Sequence, residues 1–150
     1  MMKRTVVAVG ALLLGVGAVM AQHDLVKQDQ DTMKANAKNL GGVMIAMVKG
    51  EKPYDQTAVN AALAQLDDTA KKLPTMFPDS LKSAKFEGDY GPSPKVWEDK
   101  AGFKAKIDSF AKIVADAKSK IKDLDSLKVV APAIGKECGG CHETFRVKNS

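Results

Sequence analysis

Five consecutive residues, Cys138-Gly139-Gly140-Cys141-His142, carry the most distinctive chemistry in this chain of 150 residues. Two thiols three positions apart, followed at once by an imidazole, form the attachment pattern of a c-type haem. On a helix the two cysteines share one face, with the reach to meet two vinyl groups on one porphyrin edge, and the histidine then turns toward the iron. Gly139 and Gly140 leave room for a flat macrocycle against the backbone. The bland alternatives fit less well. A structural disulfide needs no histidine here, and a thioredoxin-type redox pair follows a βαβ pattern that the sequence lacks. Zinc requires about four ligands, whereas these two cysteines are the only ones present and His23 is the only other histidine. One covalently attached haem c, bound through Cys138 and Cys141 and ligated by His142, is the expected cofactor.

The elements that must position this motif read as four amphipathic helices. Val26, Met33, Leu40 and Met47 recur every seven residues, with Ala37 and Met44 between them, which predicts one buried stripe on a helix over residues 24–49. Gly50 and Pro53 end it. Asp55 is the expected N-cap of a second helix, whose stripe is Val59, Ala62, Leu63, Leu66, Ala70 and Leu73, terminated by Pro74. Residues 75–92 hold Pro78, Gly88, Gly91 and Pro92 and read as the long connection. Ser93-Pro94 opens the third helix, with proline at its first position, and Val96, Phe103, Ile107, Phe110, Val114, Ala117 and Ile121 form its apolar face. Trp97 is expected in the core or against haem. The last helix starts near Asp125-Ser126, bends at Pro132, and puts Leu127, Val130, Ile134, Cys138, Cys141 and Phe145 on one side. The fold class is all-α, an antiparallel up-down four-helix bundle with haem near the C-terminus.

That topology sorts the candidates for a second iron ligand, which are Met33, Met44, Met47, Met76 and His23. In an antiparallel bundle the start of the first helix lies level with the end of the fourth. Met33 is about nine residues into the first helix and on its buried stripe, opposite His142. Met44 stands roughly 16 Å further along the axis, and Met47 further still. Met76 falls in the long connection and His23 near the expected frayed end. An ordinary core methionine is the competing reading for Met33. A thioether ligand favours ferrous iron and suits electron transfer.

The N-terminal residues describe an address. Met1-Met2-Lys3-Arg4 precede an apolar run to Met20, with small residues about Val19-Met20-Ala21, so residues 1–21 are expected to be a cleaved secretory signal peptide and residues 22–150 the functional domain. The run is interrupted by Gly10, Gly15 and Gly17 and is short of the ~20 residues that span a bilayer, so no membrane association is expected of the mature form. Removing Lys3 and Arg4 from the 23 basic residues leaves 21 against 18 acidic ones, a formal charge of +3. Lysines alternate with acids along helical faces, as on a solvated surface. Basic and aromatic residues do not interleave, which argues against nucleic acid.

Residues 25–149 resemble the class II c-type cytochromes, the cytochrome c′ family. The resemblance is carried by the C-terminal motif with Phe145-Arg146 behind it, the Leu73-Pro74 and Phe77-Pro78 pairs, and Ser93-Pro94-Lys95-Val96-Trp97. It implies a four-helix bundle with haem near the C-terminus, in one of two branches. In cytochrome c′ itself the distal residue does not bind iron, and the five-coordinate haem takes nitric oxide and other small gases. In the low-spin, cytochrome c-556-like branch a methionine at that place ligates iron, and here the place matches Met33 in Thr32-Met33-Lys34-Ala35-Asn36. Gly50-Glu51-Lys52-Pro53-Tyr54-Asp55 and Phe77-Pro78-Asp79-Ser80 are also similar to the low-spin branch. The family often carries an arginine near the haem propionates four residues before the distal position; this chain has Asp29, and Arg146, one turn after His142, is a nearby surface cation.

The expected function is thus a periplasmic mono-haem one-electron carrier, not an enzyme, with His142/Met33 ligation and periplasmic redox proteins as partners. The alternative is a high-spin gas-binding protein of the cytochrome c′ type. A monomer is favoured, against the homodimer that the resemblance to gas-binding relatives implies.

Overall fold

In the computed structural model, residues 10–149 are described, with side chains from residue 20 onward. Helix α1 (Gly10–Asn39) passes through a π-helical turn at Leu40–Ile45 into the short α2 (Ala46–Val48). Then come α3 (Gln56–Met76), a 3-10 turn at Asp79–Leu81, strand β1 (Tyr90–Pro92), α4 (Lys95–Glu98), α5 (Lys100–Lys120), α6 (Leu124–Phe145) and strand β2 (Arg146–Lys148). The α1–α2 unit, α3, α5 and α6 are the four members of the expected up-down bundle. Neighbouring members pack in sequence, α1 on α3, α3 on α5 and α5 on α6. The α1–α2 unit closes the ring through its π turn and α2, which pack on α6. Among the described residues no helix is long and apolar enough to cross a membrane.

Local chemistry explains most boundaries. The Asp55 side chain accepts from the amides of Thr57 (2.8 Å) and Ala58 (3.1 Å), capping α3 as expected. Asp123, not Asp125, caps α6: its carboxylate accepts from the Ser126 amide at 2.8 Å while the Ser126 hydroxyl accepts from the Asp123 amide at 3.1 Å, a reciprocal box. Ser93 caps α4, its hydroxyl accepting from the Lys95 amide at 3.1 Å.

Four expectations need correction. The first helix starts at Gly10, inside the run read as a leader, because that run is itself rich in helix-forming Ala and Leu; the rest of the leader, residues 1–9, lies outside the described residues. The first helix is also not regular, since the π turn at Gly41-Gly42 slips the stripe and leaves Ala37 exposed. The third helix is two: Asp99 leaves helical geometry (φ −114°, ψ 65°) and its carboxylate accepts from the Gly102 amide at 2.9 Å to start α5. Pro74 is tolerated where a stop was expected, because α3 runs past it to Met76; Pro132 lies inside α6, which is continuous from Leu124 to Phe145.

The dry core fills one half of the bundle. Met44, Met47, Val59, Leu63, Leu66, Val114, Ile121, Leu127 and Ile134 are all buried there. In the other half, which holds Met33, the end of α3, the start of α5 and the end of α6, Met33, Leu73, Phe103, Cys138, Cys141 and His142 are only half-buried. Two short strands tie that end together. β1 and β2 pair antiparallel, with Gly91 opposite Val147, the Ser93 hydroxyl donates to the Thr144 carbonyl at 2.9 Å, and the Trp97 indole donates to the Phe77 carbonyl at 3.0 Å.

Candidate haem site

Cys138, Cys141 and His142 lie together in the last two turns of α6, all half-buried. Their placement follows from the helix's apolar period: Leu127, Ala131 and Ile134 are buried on the inner face, and Cys138 continues that face against the core. No disulfide joins the two cysteines. A side chain at Gly139 would meet nothing within 4 Å, and one at Gly140 would stand 3.5 Å from the Lys106 ammonium. Beyond His142, Phe145 packs on Phe103 (ring centroids 5.1 Å apart), and Phe103 on Phe77 (5.9 Å), an aromatic row from α6 across α5 to the long connection.

The protonation states suit haem attachment. Burial pushes the Cys138 thiol up, helped by Cys141 and Glu137. Burial also pushes Cys141 up, opposed by the Lys106 ammonium and aided by Glu137. Both sulfurs are therefore held as thiols, the form that adds S–H across a vinyl double bond. Burial lowers the His142 pKa, and the Arg146 guanidinium lowers it further, which keeps the imidazole neutral with a free lone pair for iron.

Met33 sits half-buried on α1, the helix that packs against α3 and the turn at Asp79–Leu81. Its height is given by a contact further along: Leu40 Cδ2 lies 3.9 Å from where a Cβ at Gly135 would stand. Met33 is seven residues before Leu40 and His142 seven after Gly135. Since the helices run antiparallel at ~1.5 Å per residue, both lie about 10 Å below that contact, level with each other. The other candidates are elsewhere. Met44 and Met47 are buried in the dry core, Met76 is buried at the end of α3, and His23 is exposed. Trp97 is half-buried at the same end of the bundle, held by its bond to Phe77.

Two residues near Met33 escaped the sequence reading. The Asn36 amide donates toward Met33 Sδ at 4.0 Å, and the fully buried Thr69 hydroxyl on α3 donates to Asn36 Oδ1 at 2.8 Å. A polar Thr69 within the apolar stripe of α3, between Leu66 and Ala70, was the available signal. Asp29, one turn before Met33, is 5% exposed with an unpartnered Oδ2, and burial pushes its pKa up to about 7.

Comparison with known proteins gives the family. The family described as Cytochrome C' matches residues 24–146. Cytochrome c-556 of Rhodopseudomonas palustris is 55% identical over 148 residues, covering 98% of this chain and 99% of that one. Cytochrome c′ of the same species is 40% identical, covering 94% of each. A structure of oxidized R. palustris cytochrome c556 superposes with a TM-score of 0.75 at 53% identity, over 85% of this chain and 99% of the other.

Proposed function

Because the chain belongs to the cytochrome c′ family and is a mono-haem c-type cytochrome, we propose that it is a periplasmic one-electron carrier of the low-spin branch. In this reading Cys138 and Cys141 would hold the haem, and His142 and Met33 would ligate its iron. The cofactor supplies an iron that takes up and releases one electron.

The chain's own residues make that exchange easy. Each thiol would add across one vinyl group, sulfur to one carbon and its proton to the other, so Cys138 and Cys141 would hold the haem to the last two turns of α6. His142 is presented neutral. Met33 would come from a different helix, and the α1–α2 unit and α6 are packed on each other through the core, with β2 at the end of α6 paired to β1. A ligand pair on rigid helices moves little between oxidation states, which is what fast electron transfer requires. The observation that carries the reading is the level placement of Met33 and His142 set by the Leu40–Gly135 contact. Cleavage of residues 1–21 and export to the periplasm belong to the same proposal, supported by the charged start and apolar run of the leader.

The test is an optical spectrum of both oxidation states. A low-spin pattern with a long-wavelength sulfur-to-iron band in the ferric protein, lost in Met33→Leu, supports the carrier. A broad high-spin spectrum that shifts with nitric oxide in the unaltered protein supports the gas-binding alternative, and an unchanged spectrum in Met33→Leu rules out Met33.

A further inference from the structure

The geometry points to Asn36 as a positioning residue for the Met33 thioether, with Thr69 fixing the direction of its amide; this inference rests on Met33 being an iron ligand.

Asn36 follows Met33 by three residues on α1, so the two side chains are neighbours on one face. Its Nδ2 donates toward Met33 Sδ at 4.0 Å. A thioether sulfur has two lone pairs and accepts only weakly, so one can face iron while the other receives the amide hydrogen. An amide is free to turn over unless its oxygen is held. Here Thr69, on α3 and 0% exposed, donates its hydroxyl to Asn36 Oδ1 at 2.8 Å, closer than the 3.1 Å to its own helix's Gln65 carbonyl. With the oxygen engaged by α3, the nitrogen is directed at the sulfur. The three residues form a relay from a buried hydroxyl on one helix, through an amide, to a thioether on the next.

Outer hydrogen bonds orient metal ligands and change their donor strength. A hydrogen bond withdraws electron density from the sulfur, which weakens its donation to ferric iron more than to ferrous iron. It also fixes which lone pair faces the metal. The relay therefore favours the reduced state and lowers the energy of the sulfur lone pair.

The experiment uses haem-loaded wild-type protein, Asn36→Leu, Thr69→Val and Thr69→Ser, measuring the reduction potential, the position of the sulfur-to-iron band and the thermal midpoint. Asn36→Leu is expected to shift the reduction equilibrium toward the ferric form about three- to tenfold, the usual net size of one hydrogen bond, and to move the band to longer wavelength. Thr69→Val should shift both the same way by less, because the amide remains but is no longer held. Thr69→Ser keeps the hydroxyl and should leave both in place. Should Asn36→Leu fail to take up haem, the Thr69 pair decides alone. A lowered thermal midpoint with band and potential unmoved in Asn36→Leu, or in Thr69→Val if only that variant loads, would reduce the relay to packing and overturn the proposal. Absence of the band from the wild-type protein would instead remove Met33 as a ligand, and the relay with it.

Discussion

Leu40 and Gly135 meet across the α1–α2 unit and α6, with Leu40 Cδ2 3.9 Å from the position of a Cβ at residue 135. That distance is ordinary van der Waals contact, so Gly135→Ala should fit without displacing Leu40. Alanine in a helix interior is favoured over glycine by about 1 kcal/mol, and Gly135→Ala should raise the denaturant midpoint accordingly. Gly135→Phe would wedge the helices apart about 10 Å above the level of Met33. Its expected signature is a weakened sulfur-to-iron band in protein that still carries haem.

Asp29 sets a pH dependence of stability. Its carboxyl is buried, with one oxygen unpartnered, and burial alone pushes its pKa up to about 7. Between about pH 4 and 7 the folded chain keeps a proton that the unfolded chain has released. By linkage the contribution of Asp29 falls as pH rises through this window and is constant above it. Asp29→Asn should flatten that part of the profile and stabilise the protein by roughly 2 kcal/mol above pH 7, since the neutral amide is also short of partners. Urea unfolding at pH 4.5, 6 and 8, conditions on the order of the window's edges and centre, would expose the difference.

The cap at Asp123 should respond in the opposite direction. Hydrogen bonds from the Ser126 hydroxyl and amide hold its carboxyl below the usual range. Its contribution is therefore present above the unfolded-state pKa and lost as pH falls through the folded-state value. Asp123→Ala should lower the thermal midpoint by a few degrees at neutral pH and by much less in strong acid, where the wild-type carboxyl is itself protonated.

Removing one thiol should leave a single thioether. Cys141→Ala is expected to retain haem through Cys138 in denaturing acid extraction, detectable as haem mass on the polypeptide, with a shifted pyridine haemochrome band. The double variant Cys138→Ala/Cys141→Ala should release all of its haem. Covalent retention by the double variant would contradict the assignment.

Much of this architecture could be read from spacing alone. The stripes of α3 and α6 are buried as their periods require, Asp55 is the cap it resembles, and Cys138, Cys141 and His142 cluster because three residues and one residue along a helix allow nothing else. What escaped depended on contacts between distant segments. Pairing of Tyr90–Pro92 with Arg146–Lys148 joins two stretches with no strand-like period of their own. Thr69 passed unread within an apolar stripe because its partner Asn36 is brought opposite it only by the fold. Pro74 misled for a related reason: packing of the bundle outweighs its local cost, which sequence spacing treats as a stop.

The π turn at Leu40–Ile45 acts as a phase shift. It takes up one residue more than an α-helical path would, and each residue of an α-helix turns the azimuth by about 100°. The direction of Met33 and that of the Met44–Met47 pair are therefore set independently, although all three belong to one rod. Lys52 steadies the offset, its ammonium donating to the Gly42 carbonyl at 2.6 Å. Deleting a single glycine at 41 or 42 would restore the unshifted winding. The segment could then satisfy the dry core or aim a thioether across the bundle, but not both at once, so the two halves of this molecule are free to change separately only while that extra residue stays in place.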